Sequence, residues 1–263
     1  MRTFRSSRPD APPGFFATEA AGLAWLAEPG AIPVVEVMEV AEDGLTLEHL
    51  SETSPSPADG AEFGRRLARL HAAGADGFGW TPAPDAWFGP MDDPFPVPTA
   101  VHEDFTTFWV QDRLRPLAER TAPLLGQDGT ARLHEAIDAI AEGWFAGISG
   151  GPAEPPARVH GDLWAGNVMW TPEGTLIDPA AHGGHPLEDL ALLGMFGAPH
   201  LEHIRAGYTA ERELPSDWAE DLPVHMLFAL LTHVDLFGEA YCPRTIAVAD
   251  AVLDRVTVLR SRA

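Results

Sequence analysis

The sequence predicts an α+β fold of two lobes: a small strand-bearing N-terminal lobe and a mostly helical C-terminal lobe. Three observations carry this. Short apolar, strand-like runs cluster in the first 50 residues. A Ser- and Pro-rich run follows at 51–59. Beyond it, apolar residues recur at helical spacing over long segments, interrupted by one short hairpin near residue 170. The expected limits are 1–50 for the first lobe, 51–55 for the linker and 56–263 for the second lobe.

Taken in order, residues 2–8 read as a strand, and Pro12, Pro13 and Gly14 as a turn. Phe16, Ala20, Leu23 and Leu26 recur near a period of 3.6, which predicts a helix over 15–27. Strands at 32–40 and 45–50 flank a turn at Glu42, Asp43 and Gly44. Ser56 and Asp59 form a capping box with Pro57 at the first helical position, and Gly74 stops that helix. His71 lies on it and reads as packed. Residues 75–101 are irregular and aromatic, either walling a pocket or packing over the core. Helices follow over 103–120 and 130–146, then a short strand over 157–159. Three more helices cover 200–208, 224–237 and 248–259.

Net charge of −22 argues against nucleic acid and anionic membranes as partners. All 17 basic residues are arginine. The lone Cys242 excludes an intramolecular disulfide and fits a reducing compartment. No apolar run is long enough to span a bilayer, and the first residues lack the apolar core of a secretory signal, so a cytoplasmic location is expected.

The chemistry concentrates after that short strand, in His160-Gly161-Asp162-Leu163-Trp164-Ala165-Gly166-Asn167 and in Asp178 beyond a hairpin. Asp162 and Asn167 have the D-x-x-x-x-N spacing of a kinase catalytic loop. A type I turn over 171–174 would pair 168 with 177 and set Asn167 opposite Asp178, with Cβ atoms roughly 5 Å apart. An amide oxygen and a carboxylate so placed can share Mg²⁺, and Asp162 can orient a hydroxyl and take its proton. That is a minimal set for phosphoryl transfer. His160 reads as a brace for the loop. Asp189 reads as a helix-opening carboxylate bracing the same loop.

The run from His160 to Asn167, with Asp178-Pro179-Ala180-Ala181-His182-Gly183-Gly184-His185 and Glu188-Asp189-Leu190-Ala191, resembles the fructosamine (ketosamine) kinase family. The resemblance extends over most of the chain. It implies a protein-kinase-like fold, ATP with Mg²⁺, and a small ketosamine or glycated amine as acceptor. It makes Asp162 the base and Asn167 and Asp178 the metal ligands. Glu19 matches the helix glutamate that pairs with an ATP-binding lysine. Glu48, His49 and Leu50 match the hinge whose backbone meets adenine. Trp164, His182 and His233 are the residues expected near the acceptor. One departure stands out: Ser6 occupies the lysine position, and the strands carrying the phosphate-covering loop have no counterpart before it. Arg8 has the parity to replace the lysine, and Arg5 does not without a register slip. A truncated chain, weak nucleotide binding and lost activity are the alternatives this leaves.

Overall fold

In the computed structural model, which describes residues 2–171 and 173–262, the chain opens with a three-stranded antiparallel sheet. Strand β1 (Thr3–Ser7) is followed by helix α1 (Phe15–Ala27), β2 (Val37–Ala41) and β3 (Gly44–Glu48), in the order β1-β3-β2. Leu45 and Leu47 of β3 join Phe16, Leu23 and Val35 in a small core. Segment 32–35, expected as part of a strand over 32–40, leaves this sheet. Val35 N–H donates to Leu176 O (3.0 Å), and Leu176 N–H to Pro33 O (2.9 Å).

Helix α2 (Pro57–Ala72) starts on the capping box read from the sequence: Ser56 and Asp59 bond reciprocally. It is followed by a two-residue ladder of β4 (Trp87–Phe88) with β5 (Phe95–Pro96). This aromatic segment packs on the N-terminal elements. Trp87 meets Phe15 at 6.5 Å between ring centroids, and Thr18 Oγ1 donates to Asp85 O (3.3 Å). Next come α3 (Phe105–Thr107), a π-helical stretch (Phe108–Leu114) and α4 (Arg115–Ile140), which breaks at Gly126 (φ 69°). Strands β6 (Ala157–Val159), β7 (Val168–Thr171), β8 (Glu173–Leu176) and β9 (His182–Gly184) form two hairpin-like pairs, β6 with β9 and β7 with β8. Helices α5 (Leu187–Met195), α6 (Leu201–Glu211), α7 (Leu222–Phe237) and α8 (Cys242–Arg262) complete the chain. None of the described helices is long and apolar enough to cross a membrane.

The chain divides into two compact units along a different line from the expected boundary at 51–55. One unit is Met1–Ala100 with Pro156–Glu213; the other is Val101–Pro155 with Leu214–Ala263. The reason is packing. The bonds between 33–35 and Leu176 tie the N-terminal sheet to β8, and Ile177 lies against the N-terminal core. In the first unit α2 and α6 approach closely. A Cβ on Gly64 would lie 1.9 Å from Ile204 O, and one on Gly207 1.9 Å from Ala61 O, so only glycine fits at either crossing point. In the second unit Trp109, Leu133, Ile137, Leu231, Val252 and Val256 are buried together with Arg255. That cation is answered by Asp221 (2.7 Å), Glu220 (2.7 Å) and Asp217 (3.0 Å).

Candidate active site

The loop after β6 is held by one buried carboxylate. Asp189, on α5, accepts from the His160 amide (2.8 Å) and the Gly161 amide (3.0 Å) and meets His71 Nε2 at 3.1 Å. Burial alone would raise its carboxyl. The hydrogen bond and charge of His71, with the His160 backbone amide, hold it below the ordinary value instead. His71 in turn meets the Tyr208 hydroxyl at 2.9 Å, which ties the brace to α2 and α6. The Asp162 amide donates to His160 Nδ1 (3.3 Å), so Nε2 carries the proton and donates to Ile177 O (2.8 Å). Burial keeps this imidazole below its usual pKa and therefore neutral.

Asn167 sits at the centre. Its Nδ2 donates to Asp162 O (2.8 Å), Asp162 Oδ2 (3.1 Å) and Asp178 O (3.3 Å). Three oxygen acceptors fix the amide's orientation, and its Oδ1 is turned the other way. The hairpin register differs by one residue from the expected one. Val168 pairs with Leu176 and Trp170 with Gly174. The cause is tertiary. The Phe63 ring of α2 lies against Trp170 (5.5 Å), and a Cβ on Gly174 would come within 2.4 Å of it. Gly174 therefore belongs in the ladder beneath Phe63, not in the turn. The expected turn over 171–174 includes Pro172, which lies outside the described residues. Asp178 is consequently not a ladder partner of Asn167. Ile177 N–H donates to Asn167 O (3.2 Å), and the chain then bends at Asp178, whose φ of 50° is rare for a residue other than glycine. That bend, costing on the order of 1–3 kcal/mol, carries Asp178 to the Asn167 amide by another route.

Three carboxylates thus share this region. Burial, offset in part by the Asn167 bond and reinforced by Asp189 and Asp178, pushes Asp162 up to about 7. Asp178 is open to solvent, yet the protein walls around it also raise its carboxyl. Burial and then the charge of Asp178 push Glu19 up to about 8. Helix α1 reaches Asp178 because Gly22, one turn after Glu19, lies against Pro179 and Ala181; a Cβ there would be 3.3 Å from each. Asn167 Oδ1 and the accessible Asp178 carboxylate are hard oxygen donors with a deficit of positive charge around them, a set that suits Mg²⁺.

The nucleotide side departs from expectation. Ser6 Oγ donates to Met91 Sδ (3.2 Å). Arg5 points to the outer face, to Asp43 (2.9 Å) and Thr46 (3.3 Å). Arg8 is tied to Met91 O (2.6 Å) and Asp10 (3.1 Å). Neither arginine answers Glu19, whose Oε1 is buried without a hydrogen-bond partner. At the expected hinge, the Glu48 amide is spent on Glu36 O (2.9 Å) and the His49 amide on Arg2 O (3.0 Å). Recognition of a base by 48–50 would fall to the Leu50 amide and the carbonyls.

Trp164 is 41% exposed and lies edge-on to Phe196 (6.0 Å). A Cβ on Gly166 would strike its ring at 2.1 Å, so the indole folds across the loop glycine. Phe196 carried no signal in the sequence, where it is one apolar residue at a helix end. His182, expected near the acceptor, lies on a short strand paired with β6. It is buried, and its Nδ1 and Nε2 are engaged by Ala180 O (2.8 Å) and Glu188 Oε2 (3.1 Å). His182 belongs to β9, a strand that the Gly183-Gly184 pair masked in the sequence. His233 lies in the second unit, where Nδ1 donates to Ala229 O (2.6 Å) and the ring packs on Tyr241 (4.9 Å).

The fructosamine kinase family model matches residues 3–255. A probable ketoamine kinase of Thermus thermophilus is 34% identical over 233 residues, 88% of this chain and 80% of that protein. One of Escherichia coli is 31% identical over 259 residues, 93% of this chain and 81% of that protein. The crystal structure assigned as a fructosamine-3-kinase from Thermobifida fusca superposes with a TM-score of 0.86 at 37% identity, covering 96% of this chain and 85% of that one. At 16% identity, a choline/ethanolamine kinase family protein of Mesorhizobium loti shares the fold alone, with a TM-score of 0.59 and 97% and 86% of the two chains covered. The fold is protein-kinase-like, and the chain belongs to the fructosamine kinase family.

Proposed function

We propose that this protein is a deglycating kinase: it transfers the γ-phosphoryl group of ATP to a sugar hydroxyl of a ketosamine. The observation that carries the reading is the Asn167 amide, bonded at once to Asp162 and to Asp178 O. It locks a candidate base beside two oxygen donors for a metal. Asp162 orients the acceptor hydroxyl and takes its proton as the oxygen attacks phosphorus and the bond to the β,γ-bridging oxygen breaks. Asn167 and Asp178 would hold Mg²⁺, which supplies charge neutralisation on the phosphates. Trp164 offers an exposed apolar face to the sugar ring beside the loop.

Asp189 and His160 act through the backbone, holding the loop in place. The role expected for His233 at the acceptor remains part of this proposal.

The test is ADP release from Mg-ATP with and without fructosyl-lysine, beside Asp162→Asn. Ketosamine-dependent release that vanishes in the variant supports the reading. Release with an aminoglycoside or amino alcohol instead would keep the chemistry and change the acceptor. A second reading, binding of glycated amines or nucleotide without turnover, is favoured by one observation: among the described residues no donor answers the buried Oε1 of Glu19. Absence of release with every hydroxyl acceptor would select it.

A further inference from the structure

Glu19 poses a charge problem that the described side chains do not solve. Its Oε1 is buried and accepts no hydrogen bond, and the charge acting on it is that of another carboxylate, Asp178. The chain has no lysine to place at the position where a partner is expected. The arginines of the N-terminal strand region are committed elsewhere, Arg5 to Asp43 and Arg8 to Asp10 and Met91 O. Arg158, the basic residue of β6, is committed to Trp25 O, Glu28 (3.0 Å) and Gly74 O (3.4 Å). Yet Gly22 seats α1 firmly against Pro179 and Ala181, which keeps the Glu19 backbone in place beside this segment. Two carboxylates confined together repel unless a proton or a cation joins them, and only a cation leaves both ionised.

We propose that Glu19 is a positioning residue for the divalent cation. The ion held by Asn167 and Asp178 is also the counter-charge of Glu19, so one metal takes over the electrostatic task of the missing lysine. This rests on the site reading given above and goes beyond it. Glu19 changes from an orphaned half of an ion pair into an anionic partner of the metal. A direct consequence is that nucleotide binding is gated by the metal. Without it, Asp162, Asp178 and Glu19 offer a polyphosphate no positive charge of their own.

The probe is Mn²⁺ alone, titrated into the nucleotide-free full-length protein and followed by the electron paramagnetic resonance signal of the free ion. Wild type is expected to bind saturably, Asp178→Asn to lose binding, and Glu19→Gln to bind roughly 10–100-fold more weakly, the cost usual for removing a supporting group at a metal site. Glu19→Asp, which keeps the charge on a shorter arm, is expected to lie between wild type and Glu19→Gln. Thermal melts with and without Mn²⁺ report on folding in the same samples. The Mn²⁺-induced rise in Tm should shrink in Glu19→Gln while the metal-free melt holds. If Asp178→Asn loses Mn²⁺ and both Glu19 variants bind like wild type, the inference is overturned and the proposed reaction stands. If Asp178→Asn also binds like wild type, the metal site itself is misplaced and both readings fall.

Discussion

The loop after β6 and helix α1 treat a carboxylate with a buried oxygen in opposite ways. In the loop, Asp189 is buried and fully answered, by two backbone amides and His71, and its carboxyl is held low. On α1, Glu19 keeps a buried oxygen without a donor, and its carboxyl is pushed up to about 8. Hydrogen bonds to the charged form stabilise it, and burial without them destabilises it. The loop carboxylate is therefore answered within the chain, whereas the counter-charge proposed for Glu19 is a cation from outside.

The largest expected effect lies in the loop. Asp162→Asn should lower ketosamine-dependent ADP release roughly 10²–10⁴-fold, the range for losing a general base, with the melt preserved. Residual activity near wild type would remove Asp162 from the chemistry. Asp189→Ala should be the costliest change for folding. It leaves the His160 and Gly161 amides and His71 unanswered inside the protein, and urea unfolding should show a loss of about 3 kcal/mol or more. A loss below ~1 kcal/mol would mean that water replaces the brace.

Smaller effects sharpen the contrast. Trp164→Ala should raise the acceptor KM about tenfold, since little of the fold rests on a half-exposed indole, while kcat and the melt change little. A fall in kcat with KM unchanged would make Trp164 a loop-packing residue instead.

The pH dependence of metal-free stability is the gentlest test. Glu19 and Asp162 are raised, to about 8 and about 7, so the native state keeps protons that the unfolded chain releases near pH 4. Their stabilising contribution is present below about pH 4 and is lost as pH rises through about 7 to 8. Wild-type Tm should therefore fall between about pH 5 and pH 8.5, by less in Glu19→Gln. Parallel curves would show that Glu19 is already compensated.

Much of this was legible in the sequence because it depends on local chemistry. The 3.6-residue pattern of Phe16, Leu23 and Leu26 specifies α1, and the Ser56–Asp59 box opens α2 where expected. The spacing of Asp162 and Asn167 brings an amide onto a carboxylate within one loop. The braces formed by His160 and Asp189 follow from residue type at a strand end and a helix start.

What the sequence left open depends on partners distant along the chain. Hairpin register is decided by Phe63, more than 100 residues before Gly174, because one aromatic ring needs the space a glycine leaves. His182 meets Glu188 because that carboxylate folds back onto it after an unmarked Gly-Gly strand. The first compact unit gathers residues from both sides of the expected boundary because β8 bonds to segment 33–35. Composition alone shows that the chain has no lysine. Only the folded packing of α1 against Pro179 and Ala181 brings Glu19, with its buried Oε1, near Asp178. Local pattern sets which groups are available; long-range packing decides which of them meet and whether their charges are answered.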